Sequence, residues 1–141
     1  MSTIHIPNSF LFDVFKGSID LDTDTFKILL VTSTYAYNRD THTKRSDITN
    51  EVTGTGYTAG GMAIVPTVTN DTTNDKLVVT LPQVIWTGST TITARQAVVY
   101  KSRGGASSAD ELVAIVDFGS DVVSSGGTFT VNEVSLEFTG F

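Results

Sequence analysis

Three carboxylates at alternate positions, Asp20-Leu-Asp22-Thr-Asp24, form the densest cluster of potential ligand groups in this 141-residue chain. Carboxylates at the first, third and fifth places are how an EF-hand loop begins to coordinate calcium. That loop also needs Gly at its sixth place and a bidentate Glu at its twelfth, where this chain has Thr25 and Val31. The segment is therefore read as a turn whose carboxylates bond nearby N–H groups, and no metal is expected. A second pattern, Gly54-Thr-Gly56-Tyr-Thr-Ala59, formally fits the dinucleotide fingerprint G-x-G-x-x-A. The fingerprint cradles a pyrophosphate only between an apolar strand and a helix. Neither flanks Gly54, and no Gly-Lys-Ser/Thr ends the stretch as in a P-loop. The glycines of the whole run Gly54–Gly61 are expected to serve tight turns and close backbone approach, with no cofactor.

Catalytic chemistry finds no better foothold. There is no Cys, no G-x-S-x-G elbow and no H-E-x-x-H pair, and the two histidines, His5 and His42, fall in the N-terminal stretch and a polar segment. A Ser/His/Asp set assembles in space and not in sequence, and no spacing here favours one. Paired carboxylates for glycoside cleavage are equally unconstrained. No catalytic residue is assigned, and the chain is expected not to be an enzyme. Tyr35, Tyr37, Tyr57 and Trp86 could stack sugar rings. The competing reading, which we favour, makes Trp86 a core or rim aromatic and the tyrosines lids over loop backbone.

Charge narrows the partners. The formal net charge is −6. The densest basic group, Arg39 with Lys44-Arg45, is flanked by Asp40 and Asp47. Duplex binding needs clustered Lys and Arg, so no nucleic acid is expected. The N-terminus lacks a basic stretch followed by a long apolar one, so no secretory signal is expected. No apolar run reaches transmembrane length, so no membrane partner is expected.

The elements that must position these residues read as mostly β. Val, Thr, Gly and Ser are abundant, a bias toward sheets with polar turns. One domain over residues 1–141 is expected, long enough to bury roughly two-thirds of its unfolded surface. The chain is organised around Asp24–Thr34. There Phe26, Ile28 and Leu30 point one way and Leu29 and Val31 the other, which suits a strand covered on both faces. Asn8–Gly17 predicts a short helix capped by Asn8 or Ser9 and stopped by Gly17. Its stripe Leu11, Val14 and Phe15 is expected to plug one end of a sheet, with docking on a partner subunit as the alternative reading. Strands are predicted at Met62–Val68 (broken at Pro66), Lys76–Leu81, Val84–Trp86, Thr91–Lys101, Leu112–Phe118 and Thr128–Phe138. In Thr91–Lys101, Ile92, Ala94, Gln96, Val98 and Tyr100 share a face, as do Leu112, Ala114, Val116 and Phe118 in the next. Tyr35–Ser46, Ser102–Asp110 and Ser124–Gly127 read as polar loops, and a parity change suggests a bulge near Asn132-Glu133. The predicted class is a single, mainly antiparallel β-sandwich or barrel-like domain with one or two short helices.

Several segments together resemble a family of small virion structural proteins from tailed bacteriophages. They are Asp24–Thr32, Asp40–Lys44, Trp86, Thr93–Tyr100 and Val113–Gly119, and above all the block Asp47-Ile-Thr-Asn-Glu-Val-Thr-Gly-Thr-Gly-Tyr-Thr-Ala-Gly-Gly61. The resemblance runs from about residue 9 to 130. It implies a non-enzymatic virion component without catalytic residues, first a capsid decoration (cement) protein and second a tail or head–tail junction component. A receptor- or carbohydrate-binding module is the remaining alternative. The partners implied are the major capsid protein or other virion proteins and further copies of the chain, a trimer being favoured, and the location is the virion after synthesis in the host cytoplasm. Candidate contact residues are Ile4, Ile6, Phe10 and Phe12 in the N-terminal segment, Tyr35 and Tyr37 in the polar loop, and Phe138 and Phe141 in the tail. Large apolar groups at a terminus that would otherwise fray motivate the expectation that the tail packs on a neighbour.

Overall fold

The computed structural model describes residues 2–140. In chain order its elements are β1 (Thr3–His5), α1 (Asn8–Phe15), β2 (Phe26–Val31), β3 (Met62–Ile64), β4 (Thr67–Asp71), β5 (Lys76–Leu81), β6 (Val84–Lys101), β7 (Leu112–Val131) and β8 (Val134–Phe138), with 3₁₀ turns at Arg45–Asp47 and Ser107–Ala109. A five-stranded sheet has the order β1-β7-β6-β2-β3 and a three-stranded one β4-β5-β8. Every pairing is antiparallel. The architecture is sandwich-like and not a closed barrel.

β2 sits inside the large sheet because both of its faces are apolar. Phe26, Ile28 and Leu30 enter the main core between the layers. Leu29 and Val31 join Tyr35, Val98, Tyr100, Leu112 and Ile115 in a second core on the opposite face, roofed by Tyr37 and Ile48. The loop after β2 is thus a lid, with Tyr35 buried in this second core and Tyr37 packed against it, in keeping with the reading of these tyrosines as lids.

The two sheets are joined by one bent ribbon. Val84 pairs with Val131 on one side of a corner and Leu81 with Val134 on the other. The chain turns the corner at Pro82-Gln83 and at Asn132-Glu133, where Pro82 has no N–H to continue a ladder. The parity change expected as a bulge at Asn132-Glu133 is this passage between sheets.

Other expectations are corrected by pairing that composition does not reveal. Val84–Trp86 and Thr91–Lys101 are one strand. Ser124–Gly127 is not a loop but lies inside β7, with Ile92 opposite Ser124 and Thr90 opposite Gly127. Irregular registers on either side of Thr90 accommodate these residues. A further irregularity between Ala94 and Gln96 inverts the alternation. Ile92 and Ala94 therefore share the main core with Ala97 and Val99, while Val98 and Tyr100 face the second core. A shift between Val99 and Tyr100 likewise parts Leu112 from Ala114 and Val116.

Helix α1 ends as expected, with Gly17 at φ +85, but begins differently. Pro7 is its N-cap, with no side-chain capping bond, and the Asn8 amide donates instead to Asp40 Oδ1 at 2.5 Å. Its buried side is Phe10 with Asp13, and Val14 is only half-buried. Leu11, Phe12 and Phe15 are 41%, 62% and 86% exposed. The predicted plug stripe thus faces mostly outward, because two helical turns bury one narrow face.

Candidate interaction surface

The polar residues that could do chemistry are committed to holding the fold. The Asp20–Asp24 turn makes local bonds, Asp22 N–H to Asp20 Oδ1 at 2.9 Å and Asp20 N–H to Asp24 Oδ2 at 2.7 Å. Lys101 pairs with Asp24 at 2.7 Å. Glu51 accepts from the Tyr57 hydroxyl at 2.6 Å and from Gly60 N–H at 2.7 Å, tying the glycine-rich segment to the chain before it. The same Tyr57 oxygen accepts from Leu30 N–H at 3.0 Å. Burial, and then the bond to Glu51, push the Tyr57 hydroxyl far above the usual tyrosine range, so it remains a donor. Gly54 and Gly61 lie where added Cβ atoms would run into the Thr91 and Ile28 carbonyls, the close backbone approach expected of this segment.

The strongest ionic cluster was not legible in the sequence. Asp110, which ends the segment read as a polar loop, and Glu111 just after it are almost fully buried. Arg45 Nε donates to Asp110 at 2.8 Å while its guanidinium lies over the Tyr100 ring at 5.1 Å. Arg103 grips Glu111 with Nε at 2.9 Å and Nη2 at 2.7 Å, and Lys44 approaches the same carboxylate at 3.7 Å. Backbone bonds from Arg45 N–H to the Asp110 carbonyl and from Leu112 N–H to the Thr43 carbonyl fasten the two loops together.

These pairs predict an acid limb in stability. Burial pushes Glu111 up, but the Arg103 bond, a backbone N–H and the Lys44 charge outweigh it and hold the carboxyl below its usual range. Asp24 behaves alike, its burial outweighed by Lys101 and the Asp20 N–H. Thr43 and Lys44 N–H groups lower Asp47 against burial. For a carboxyl lowered by folding, the stabilisation is complete above the unfolded value, roughly pH 4 to 4.5, and is lost as pH falls through the folded value. Asp13 opposes this, because burial raises it above its ordinary value. Melting followed by circular dichroism should therefore show the transition temperature falling between about pH 5 and pH 3. Glu111→Gln should lower the temperature at pH 7 and flatten that limb.

The expected contact residues divide. Ile4 and Ile6 are half-buried against the main core, Ile4 opposite Val116 in the β1–β7 ladder. Phe10 is buried, and Phe138 packs on it within the same chain at 6.3 Å between ring centres. Phe138 is thus no free tail, since it closes the ladder of β8 on β5. Tyr35 is buried, with burial raising its hydroxyl well above the usual range, and it bonds His42 Nδ1 at 2.7 Å. The half-buried Tyr37 stacks on His5 at 5.2 Å. Phe12 alone is broadly exposed, and Phe141 lies outside the described residues. No sugar platform forms, because Trp86 is buried against Phe129 and Tyr57 while Tyr35 and Tyr37 pack with His42 and His5. Among the described residues no three His, Cys, Asp or Glu side chains stand close enough to hold a metal ion. No helix among them is long and apolar enough to cross a membrane.

The exposed surface includes large apolar side chains. On α1, Leu11 and Phe15 are one turn apart, with Phe12 beside them and Lys16 over the Phe12 ring at 5.0 Å. Sequence reasoning placed Leu11 and Phe15 in the core because five of eight helical residues are apolar and any stripe could be drawn through them. A second apolar exposure, Val122 and Val123, lies on the outer part of β7. Fold and surface together define a two-layer antiparallel β protein with an exposed apolar helical face. No protein-family model matches the chain, and no curated protein or solved structure matches it.

Proposed function

We propose that this protein is a non-enzymatic structural component of a tailed-bacteriophage particle, a capsid decoration protein that binds the assembled shell as a homo-oligomer, with a trimer expected. The observation that carries the reading is the exposed Leu11, Phe12 and Phe15 face on a body whose two most deeply buried carboxylates, Asp110 and Glu111, are paired internally. The sequence blocks that resemble small virion structural proteins direct it to a phage particle. An attachment protein needs a rigid body and a complementary patch, and no reactive group. Several weak contacts made by one oligomer add through effective concentration. Binding the assembled shell in preference to free subunits stabilises the shell by mass action.

Quantitative mass spectrometry of purified virions tests the reading. A copy number that is a simple fraction of the major capsid protein's supports decoration. A few copies to tens per particle would move the protein to the tail or neck, and absence from the particle would overturn the proposal. Phe12→Asp with Phe15→Asp gives the residue-level test. Both side chains are exposed, so stability should change by no more than about 1 kcal/mol. Occupancy of stripped particles should fall about tenfold or more, as when aromatic anchors leave an interface.

A further inference from the structure

We infer that the segment of the particle protein seated beside α1 is basic and amphipathic, lying in a groove between α1 and the small sheet. This rests on the attachment reading above. The groove, about 600 Å³, has an apolar floor of Val14, Leu21, Val68 and Leu77. The only charged groups that line it are Asp20 and Asp22. Both are exposed, and neither takes part in an ion pair among the described residues. Their neighbour Asp24 is neutralised by Lys101, as Asp110, Glu111, Asp117 and Glu137 are by other cations. Two carboxylates with no cationic partner among the described residues thus stand together at the rim of an apolar slot. From Val14 the apolar surface continues round the helix to Leu11, three residues back, and on to Phe15. Lys16 lies on the opposite flank, about 200° of helical turn from Val14. A helix or extended segment with apolar anchors on one side and Lys or Arg on the other satisfies both floor and rim.

A second copy of this chain does not supply that chemistry. Lys44, Arg45, Lys76, Arg95, Lys101 and Arg103 are engaged in ion pairs. Lys16, Lys27 and Arg39 are not, and they lie just after α1, on β2 and in the lid loop, too dispersed to form one basic stripe. The net charge of −6 also opposes docking of one acidic rim on another copy.

Fluorescence anisotropy of the full-length protein with two labelled amphipathic helical peptides, one of Leu and Lys and one of Leu and Glu, tests the inference. The Leu/Lys peptide should bind saturably and the Leu/Glu peptide should not. Asp20→Asn with Asp22→Asn should weaken binding about fivefold or more, and Val68→Asp should abolish it. Asp121→Asn with Glu133→Gln, the same charge change elsewhere, should leave binding within about twofold. Equal loss in this control pair, equal binding of both peptides, or undiminished binding in the Asp20/Asp22 variant would overturn the inference. So would a dimer in light scattering that Val68→Asp dissociates, which would make the groove a self-interface. None of these results alters the copy number in virions, so failure of the groove and failure of the attachment reading are distinguishable.

Discussion

Replacing Gly61 by Ala should cost about 2 to 5 kcal/mol or prevent folding, the largest effect expected from so small a change. Two penalties combine. Gly61 sits at φ +80, where a side chain costs roughly 1–2 kcal/mol. Its Cβ would also point straight into the Ile28 carbonyl and Leu29 Cα, backbone atoms of β2 that cannot rotate away. Gly61 immediately precedes the pairing of Met62 with Ile28, so relief requires moving β3 off the sheet. Overpacking of this kind adds about 1–3 kcal/mol or more. Gly88 is the control, since it has φ +74 but nothing within 4 Å of an added Cβ. Its Ala variant should lose only about 1–2 kcal/mol. Urea unfolding followed by circular dichroism separates the two, and equal costs would show that the glycine-rich segment does not dock on β2 as described.

Arg45→Ala should destabilise the protein by about 3–5 kcal/mol, the range for removing one partner of a buried ion pair. Asp110 is 1% exposed, and its carboxylate would retain only the bond from the Arg103 backbone N–H at 2.9 Å. The variant also loses the guanidinium that covers Tyr100, uncovering part of the second core. Lys at this position keeps the charge but not the planar stack and fork, and should recover only part of the loss. Arg45→Ala with Asp110→Ala should be less damaging than the sum of the single changes, by a coupling of about 1–3 kcal/mol, because no carboxylate is then stranded. Strict additivity in chemical unfolding would mean that the two side chains do not act as a pair.

Together these variants separate the framework from the proposed attachment surface. Gly61 and Arg45 lie where two segments of backbone are clamped, and their loss is read in stability. Phe12, Phe15, Asp20 and Asp22 lie on the outside, and their loss is read in binding while melting is largely preserved.

The sequence by itself determined what rests on local pattern. The two-faced apolar run at Phe26–Val31 required a covered strand, Pro66 parted β3 from β4, Gly17 stopped α1, and the shortage of helix-forming patterns made the class mainly β. Gly54 and Gly61 were recognisable as places of close approach, although not what they approach. Tertiary structure alone decided the rest, because it depends on partners distant in the chain. Ser124–Gly127 is strand only because β6 runs opposite, and the inverted faces around Ala94–Gln96 follow from a register shift that no single strand encodes. Asp110 and Glu111 are buried because Arg45 and Arg103 arrive to neutralise them. Helix α1 showed apolar residues almost all round, so its sequence was compatible with several buried faces. The body offers it room for Phe10, and that leaves Leu11, Phe12 and Phe15 to face outward.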